Sequence, residues 1–351
     1  MNRQIIDTLE QLGKKTQSVQ WDDGSRLVFL PYGGRLLGLF PESSESNFYW
    51  VNAKLSDRQS AAEVFTPDQW HNTGGERTWI APELDIFFRD YPACTDHWEP
   101  PQLDASNYHF EMNGSKVVLS RRMDIYLARP QKQVRVFLEK EYGSAPNPLR
   151  LDWDFASDFP DVSYAGYTQR TALTYEGDGV SPSLGIWNIN QFPHGGVTII
   201  PTWYPTRPLV LFGDIPADHL VSNPKSVIFR AMIPGEHKIA VRAAATVGRI
   251  GYVYRQGETT SLVIRNFFNN PSGDYVDVPK MSPDDLGYSV FSVSIDSALG
   301  DFTEMEYHAP AIRAELGEVC TKDVSQIWAF RGNHDQIRKI TGLLLAEDQH
   351  W

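Results

Sequence analysis

Residues 25–40 read "SRLVFLPYGGRLLGLF". Pro31 and the pair Gly33–Gly34 break this stretch into two β-prone runs. The same kind of text fills most of the chain that follows. It includes "SKVVLSRRMDIYLA" (115–128), "QVRVFLEKEYG" (133–143), "LRLDWDF" (149–155), "LGIWNIN" (184–190), "GVTIIPTWY" (196–204) and "KSVIFRAMI" (225–233). It continues through "HKIAVRAAATVGRIGYVYR" (237–255), "TSLVIRNFF" (260–268), "YSVFSVSID" (288–296) and "DFTEMEYHAPAI" (301–312). Turn clusters such as "GSAPNP", "GDGVSP" and "NNPSGD" separate the runs. About a dozen or more short strands at this spacing predict an all-β protein, a large sandwich or barrel. No helical patterns alternate with them, which speaks against a parallel α/β sheet.

Helices are expected only at the two ends. Ile5, Ile6, Leu9 and Leu12 recur at helical spacing over 3–13, with Gly13 placed to end the run. Ile337, Ile340, Leu343 and Leu344 do the same over about 334–346. Prolines and glycines are spread evenly and there are no low-complexity linkers or fixed repeats. The expected organisation is one domain over 1–351, its β part covering about 20–330.

A hydrophobic share of 41% and a charged share of 22% are those of an ordinary soluble globular protein. The net charge of −12 argues against nucleic acid and against an anionic membrane surface, since both call for a basic face. Cys94 and Cys320 are too few for a disulfide framework and read as two unpaired thiols of a cytosolic protein. The opening "MNRQIIDTLEQLGKK" has the acids and lacks the apolar run that separate it from a signal peptide. No window is apolar for long enough to span a bilayer. A cytoplasmic protein, monomer or homodimer, is the expectation.

Phosphate-cradling glycine loops, the G-x-S-x-G elbow and the H-E-x-x-H helix are all absent from the sequence. His97 and Glu99 in "DHWEPP" would share a face of an extended segment, but two ligands do not make a metal site. No metal and no cofactor are expected. "DFTEMEYHAPAI" is more informative. As a strand it lines Phe302, Glu304, Glu306 and His308 on one face, with Thr303, Met305 and Tyr307 on the other. Such a polar row is routine on a solvated outer face; inside a groove it is equipment for acid/base chemistry. In "LGIWNINQFPHGG" (184–196), Trp187, Ile189 and Gln191 alternate with Ile186, Asn188 and Asn190 before a turn that carries His194. An indole beside Asn and Gln amides can stack on and hydrogen-bond to a sugar, although a plain strand end reads the same way. "NTGGERTWIAPELDIFF" (72–88) parses as a glycine turn, a strand "ERTWIA", a break at Pro82 and a second strand "ELDIFF". Arg77 and Trp79 then share one face and Glu83, Asp85 and Phe87 another. An arginine beside a tryptophan presents a forked donor next to an apolar plate, or simply pins a turn through a carboxylate.

Taken as an ordered set, "YGGRLLGLF" (32–40), "NTGGERTWIAPELDIFF", the long series of strands and "FTEMEYHAPAIRAELGE" (302–318) resemble the galactose-mutarotase-like superfamily, and within it a bacterial branch. The resemblance covers about residues 20–330. It implies a β-supersandwich of large antiparallel sheets with a sugar-binding concave groove. It also implies that Glu306 is the general base at the anomeric hydroxyl and that Arg77 holds sugar hydroxyls. The catalytic histidine of the family would fall near "NPLRLDWDFASDF" (147–159), which contains none. His194 and His308 are the substitutes by neighbourhood.

Three functions follow as expectations. The first is an aldose 1-epimerase-like mutarotase with Glu306 as base and His194 or His308 as acid. Its sugar would be held by Arg77, Trp79, Glu83, Trp187, Asn188, Gln191 and Glu304, with Arg77 facing Glu306 across a cavity. The second is a non-catalytic carbohydrate-binding or sensing protein. The third is a polysaccharide hydrolase or lyase, the weakest of the three, because neighbours on one strand rarely flank a substrate from opposite sides. In each the partner is a small sugar or oligosaccharide.

Overall fold

The computed structural model describes residues 3–67 and 69–347. The break that opens the sequence reading joins antiparallel strands Arg26–Leu30 and Arg35–Phe40, with Gly33 and Gly34 at φ of 73° and 59°. A Cβ on Gly33 would lie 2.8 Å from the Asp104 carbonyl oxygen, so the turn needs glycine for space as well as for its left-handed backbone.

The strands form two large antiparallel sheets, as the sequence predicts. From edge to edge the nine-stranded sheet runs Gln17–Gln20, Arg26–Leu30, Arg35–Phe40, Glu76–Ala81, Gly185–Pro193, Gly300–His308, Tyr288–Ser297, Gly235–Arg242 and Leu209–Phe212. The ten-stranded sheet runs Leu220–Ser222, Ser226–Arg230, Val197–Pro201, Arg249–Gln256, Thr259–Phe267, Cys320–Gly332, Ser163–Tyr175, Lys132–Ser144, Lys116–Leu127 and His109–Asn113.

The main core contains Leu36, Leu138, Leu173, Val263, Met305 and Ile327, all from facing strands of the two sheets. The end helices cover other apolar surface. Arg3–Gln11 lays Leu9 onto Val28, Leu30 and Phe40, and His334–Leu345 packs Ile337, Ile340 and Leu344 into a cluster with Leu262, Ile264 and Phe330. Among the described residues no helix is long and apolar enough to cross a membrane.

Helices are not confined to the two ends: Arg58–Val64 and Pro101–Asp104 are helical, and two segments read as strands also depart from that reading. "LRLDWDF" is not a strand but turns followed by the one-turn helix Phe155–Asp158. Asn147 Oδ1 accepts the Leu149 N–H and Asp154 Oδ1 the Ser157 N–H, so side chains satisfy the backbone locally. "ELDIFF" begins not as a strand but as the short helix Glu83–Ile86. Here tertiary bonds override the β-prone text. The Glu83 N–H donates to Asp277 Oδ1, and Asp85 takes a two-pronged bond from Arg129 at 2.6 and 2.9 Å.

Candidate functional site

Three central strands of the nine-stranded sheet, Glu76–Ala81, Gly185–Pro193 and Gly300–His308, lie side by side. Their register aligns Arg77 with Ile189 and Glu306, Trp79 with Trp187 and His308, and Gln191 with Glu304. Residues directly opposed in an antiparallel pair share a face. Arg77, Trp79, Trp187, Gln191, Glu304, Glu306 and His308 therefore stand together on the face turned away from Met305 and Tyr307. The alternation read from the two sequence stretches holds.

The segment before the first of these strands needs its two glycines. Gly74 and Gly75 have φ of 95° and 78°, and a Cβ on either would come within 2.4 Å of a backbone oxygen, of Trp50 or Leu36. Buried Arg35 ties the segment down by donating to the Gly74 and His71 carbonyls while its guanidinium pairs with Asp104 at 2.5 Å.

Charges on the face are paired, not scattered. Arg77 Nη2 donates to Glu304 Oε1 at 2.9 Å, and Gln191 Nε2 reaches the same oxygen at 2.9 Å. Trp187 Nε1 donates to Glu306 Oε2 at 3.1 Å. Lys238, two strands away, brings its Nζ to 3.5 Å from that oxygen and 3.4 Å from Glu83 Oε2, lying 4.7 Å from the centre of the Trp187 ring. His308 stacks on Trp187 at 5.3 Å, with Nε2 3.9 Å from Asp277 Oδ2. The Arg77 guanidinium sits 4.2 Å from the Trp79 ring and 5.2 Å from Trp70.

The face is closed over. Glu306 is 1% exposed, and the helix Glu83–Ile86 and Asp277 approach it from above the sheet. Two grooves at the surface, one beside Arg242 and Asp285 and one beside Arg121 and Arg135, include none of these residues. Enclosure tunes the titrating groups. Burial pushes the Glu306 carboxyl well above the usual carboxylate range; Lys238 opposes this, while Glu304 and Glu83 add to it. Burial, with Lys238 beside it, pushes His308 well below the usual imidazole range. Burial also works to lower Lys238, but Glu306, Glu83, Asp277 and Glu304 outweigh it and raise the ammonium. Burial raises Asp277.

Despite burial, the face leaves hydrogen-bonding capacity unused. Arg77 Nε and Nη1, Trp79 Nε1, Trp70 Nε1, Gln191 Oε1 and both ring nitrogens of His308 lack a hydrogen-bond partner, as do Asn72 and Thr73 in the preceding segment. Native proteins rarely leave such groups orphaned, so each of these calls for a further partner, ordered water or ligand.

Three expectations need correction. His194 is not in the site: its N–H donates to the Asp301 carbonyl next to Phe302, about 13 Å along the strand from Glu306 at 3.3 Å per residue. The β-turn that carries it follows the strand's far end. Asn188 points to the opposite face, bonding Thr78 and Tyr307, because it alternates with Trp187 and Ile189. Arg77 does not face Glu306 across a cavity; it pairs with Glu304 on the same sheet. Glu83 reaches the site through Lys238, though from a helix.

Lys238, Asp277 and Trp70 escaped the sequence reading. The lysine sits in "HKIAVR", on a strand next to the sheet edge, where a charge directly before the apolar run 239–241 reads as solvent-facing. Asp277 lies outside any regular element and gave no signal.

A family model described as a family of unknown function, DUF6786, matches residues 6–348. The chain belongs to this family. No curated protein matches it. Among solved structures it is similar to a galactose mutarotase related enzyme from Lactobacillus acidophilus, at 8% identity and a TM-score of 0.46 over 91% of this chain and 97% of that one. It is also similar to an aldose epimerase homologue from C. elegans, at 9% identity and 0.42 over 91% and 99%. A third likeness is to a galactose 1-epimerase from Lactobacillus acidophilus, at 10% identity and 0.38 over 92% and 100%. Likenesses this distant leave the function of this DUF6786 chain to be argued from its side chains.

Those side chains can donate and accept around a polyhydroxylated ring, stack it on indole, and exchange a proton through a carboxyl. His97 and Glu99 do meet, Nδ1 to Oε1 at 3.3 Å, with Glu83 4.0 Å from the other ring nitrogen. Among the described residues no group of three or more His, Cys, Asp or Glu is disposed to hold a metal ion.

Proposed function

We propose that this protein is a carbohydrate-active enzyme of the aldose 1-epimerase type, exchanging protons at a sugar's anomeric centre through Glu306. The observation that carries the reading is the pairing, on one buried face, of a Glu304–Glu306 row with unpartnered donors from Arg77, Trp79 and Trp70 and an unpartnered acceptor from Gln191. Glu306 as carboxylate takes the anomeric hydroxyl proton as the bond from C1 to the ring oxygen breaks, and His308, the histidine next in the row, gives the ring oxygen a proton from its imidazolium form, the form that burial disfavours; reclosure reverses both transfers. A sugar admitted by displacement of the covering helix Glu83–Ile86 would have its hydroxyls held by Arg77, Trp79 and Gln191.

The test is anomer exchange followed by NMR on freshly dissolved hexoses, pentoses and sugar phosphates. Exchange should run faster with the protein than with its Glu306→Gln variant. Equal rates across the panel would end the reading.

A second reading, carbohydrate binding without turnover, is favoured by one feature. His308 makes no hydrogen bond to Glu306, and its closest carboxylate is Asp277 at 3.9 Å. Calorimetry separates the two: heat of binding without faster anomer exchange selects the binder.

A further inference from the structure

Lys238 is the group on this face that the chemistry above does not use. A lysine buried to 5% exposure on a strand next to the sheet edge needs a reason, since an apolar residue would fill its space at least as stably. It is also shared. One ammonium serves Glu306 on the sheet and Glu83 on the covering helix, lying over the Trp187 ring between them. Trp187 Nε1 and Lys238 Nζ converge on the same oxygen of Glu306, Oε2, from two different strands. The indole donates a hydrogen bond to this oxygen and the ammonium pairs with it as an ion, and together they fix the rotation of a carboxyl that would otherwise turn about its last bond.

We propose that Lys238 is the positioning residue of this site: with the Trp187 indole it holds Oε2 of Glu306 and so presents Oε1 as the oxygen that gives and takes the sugar's proton. The assignment rests on the mutarotase function proposed for Glu306. Lys238 also sets how readily that proton leaves. The charged and titratable groups around Glu306 are Glu304 and His308 on its own strand, Lys238 two strands away, Glu83 on the helix, Asp277 on the loop, and Arg77, which is paired to Glu304. Of these, Lys238 is the cation in contact with Glu306 itself.

The experiment compares the parent protein with Lys238→Met and Lys238→Arg, each with 13C-labelled glutamate. The Glu306 signal is assigned by its loss in Glu306→Gln and titrated by NMR or infrared spectroscopy. Removing a contacting opposite charge raises a carboxyl's proton affinity by about 10- to 1,000-fold, a midpoint about 1–3 pH units higher. Lys238→Met should show that shift together with slower anomer exchange. Lys238→Arg should keep the midpoint near the parent's while still slowing exchange, because a fork cannot sit at the single point between Glu306, Glu83 and the indole ring. A folded Lys238→Met variant with an unmoved Glu306 midpoint would overturn the proposal. If that variant does not fold, Lys238→Arg decides: exchange as fast as the parent's would overturn it equally. No anomer exchange in the parent would bear on the mutarotase function alone, and the titration would still decide whether Lys238 governs Glu306.

Discussion

The three central strands carry two polar faces, and the two could hardly differ more in how their hydrogen bonds are spent. Inward, between the sheets, Glu76 accepts from Lys140, Tyr142 and Gln169. Arg265 donates to Asn190, Gln169 and Ser325, Asn188 joins Thr78 to Tyr307, and Tyr307 closes on Asp323. In this layer Arg265 Nε and Ser294 Oγ are unpartnered. Outward, Arg77, Trp79, Gln191 and His308 each leave at least one buried atom unpartnered. Burial is the same on both sides; satisfaction is not. A network that closes on itself holds a structure, whereas one that stays open needs a further partner, water or ligand, to be satisfied.

Breaking the inner layer should cost the most. Glu76→Ala strands the Lys140 ammonium, 1% exposed, without its carboxylate, and should cost roughly 3–5 kcal/mol in chemical denaturation. On the outer face, Glu306→Gln keeps the side chain's shape and leaves Lys238 its second carboxylate, Glu83, so it should cost less than Glu76→Ala, about 1–2 kcal/mol, yet slow anomer exchange by about 10²–10⁴-fold, the usual contribution of one acid/base group. A variant at Glu306 that melts as early as Glu76→Ala would erase the distinction between the faces.

The inner layer also has a pH dependence of its own. Burial raises the Asp323 carboxyl from 3.8 to about 6, with the Tyr307 hydrogen bond and Arg265 working the other way. Since its folded value lies above its unfolded one, Asp323 contributes stability in full below about pH 4 and loses it as pH rises through about 6. Two units correspond to roughly 3 kcal/mol. Asp323→Asn keeps an acceptor for Tyr307 without the charge. Its denaturation free energy should gain on the parent's by up to that amount between pH 4 and pH 7. Parallel curves for the two proteins would show that Asp323 does not carry the titration.

Sequence legibility follows the same division. The outer row could be read because alternation puts Glu304, Glu306 and His308, or Arg77 and Trp79, in phase on single strands, and the all-β architecture could be read from turn punctuation. The inner layer could not. Lys140, Gln169 and Arg265 sit in strands where a polar residue in an alternating pattern reads as solvent-facing, and only the second sheet buries them. Asn188 misled for that reason: both of its neighbours face the site while it joins the inner layer. Lys238 and Asp277 were hidden by distance, since each meets its partners across strands or loops remote in sequence. The run at 83–88 was misread because a helix of one turn has no periodicity to show and is fixed by Arg129 and Asp277 instead.

The smallest effect gives the sharpest comparison, because it is a difference of sign. Thr73 and Thr78 stand five residues apart, 1% and 3% exposed, on the segment and strand that carry Arg77. Thr78 Oγ1 donates to Asn188 Oδ1 at 2.7 Å within the inner layer, whereas Thr73 Oγ1 has no hydrogen-bond partner. Valine matches threonine in shape and removes only the hydroxyl. Thr78→Val should therefore destabilise by about 1–2 kcal/mol, since it leaves Asn188 short of a donor, while Thr73→Val should be neutral or stabilise by up to about 1 kcal/mol. If Thr73→Val destabilises as Thr78→Val does, its hydroxyl is already satisfied in the folded protein and the outer network is less open than its geometry indicates.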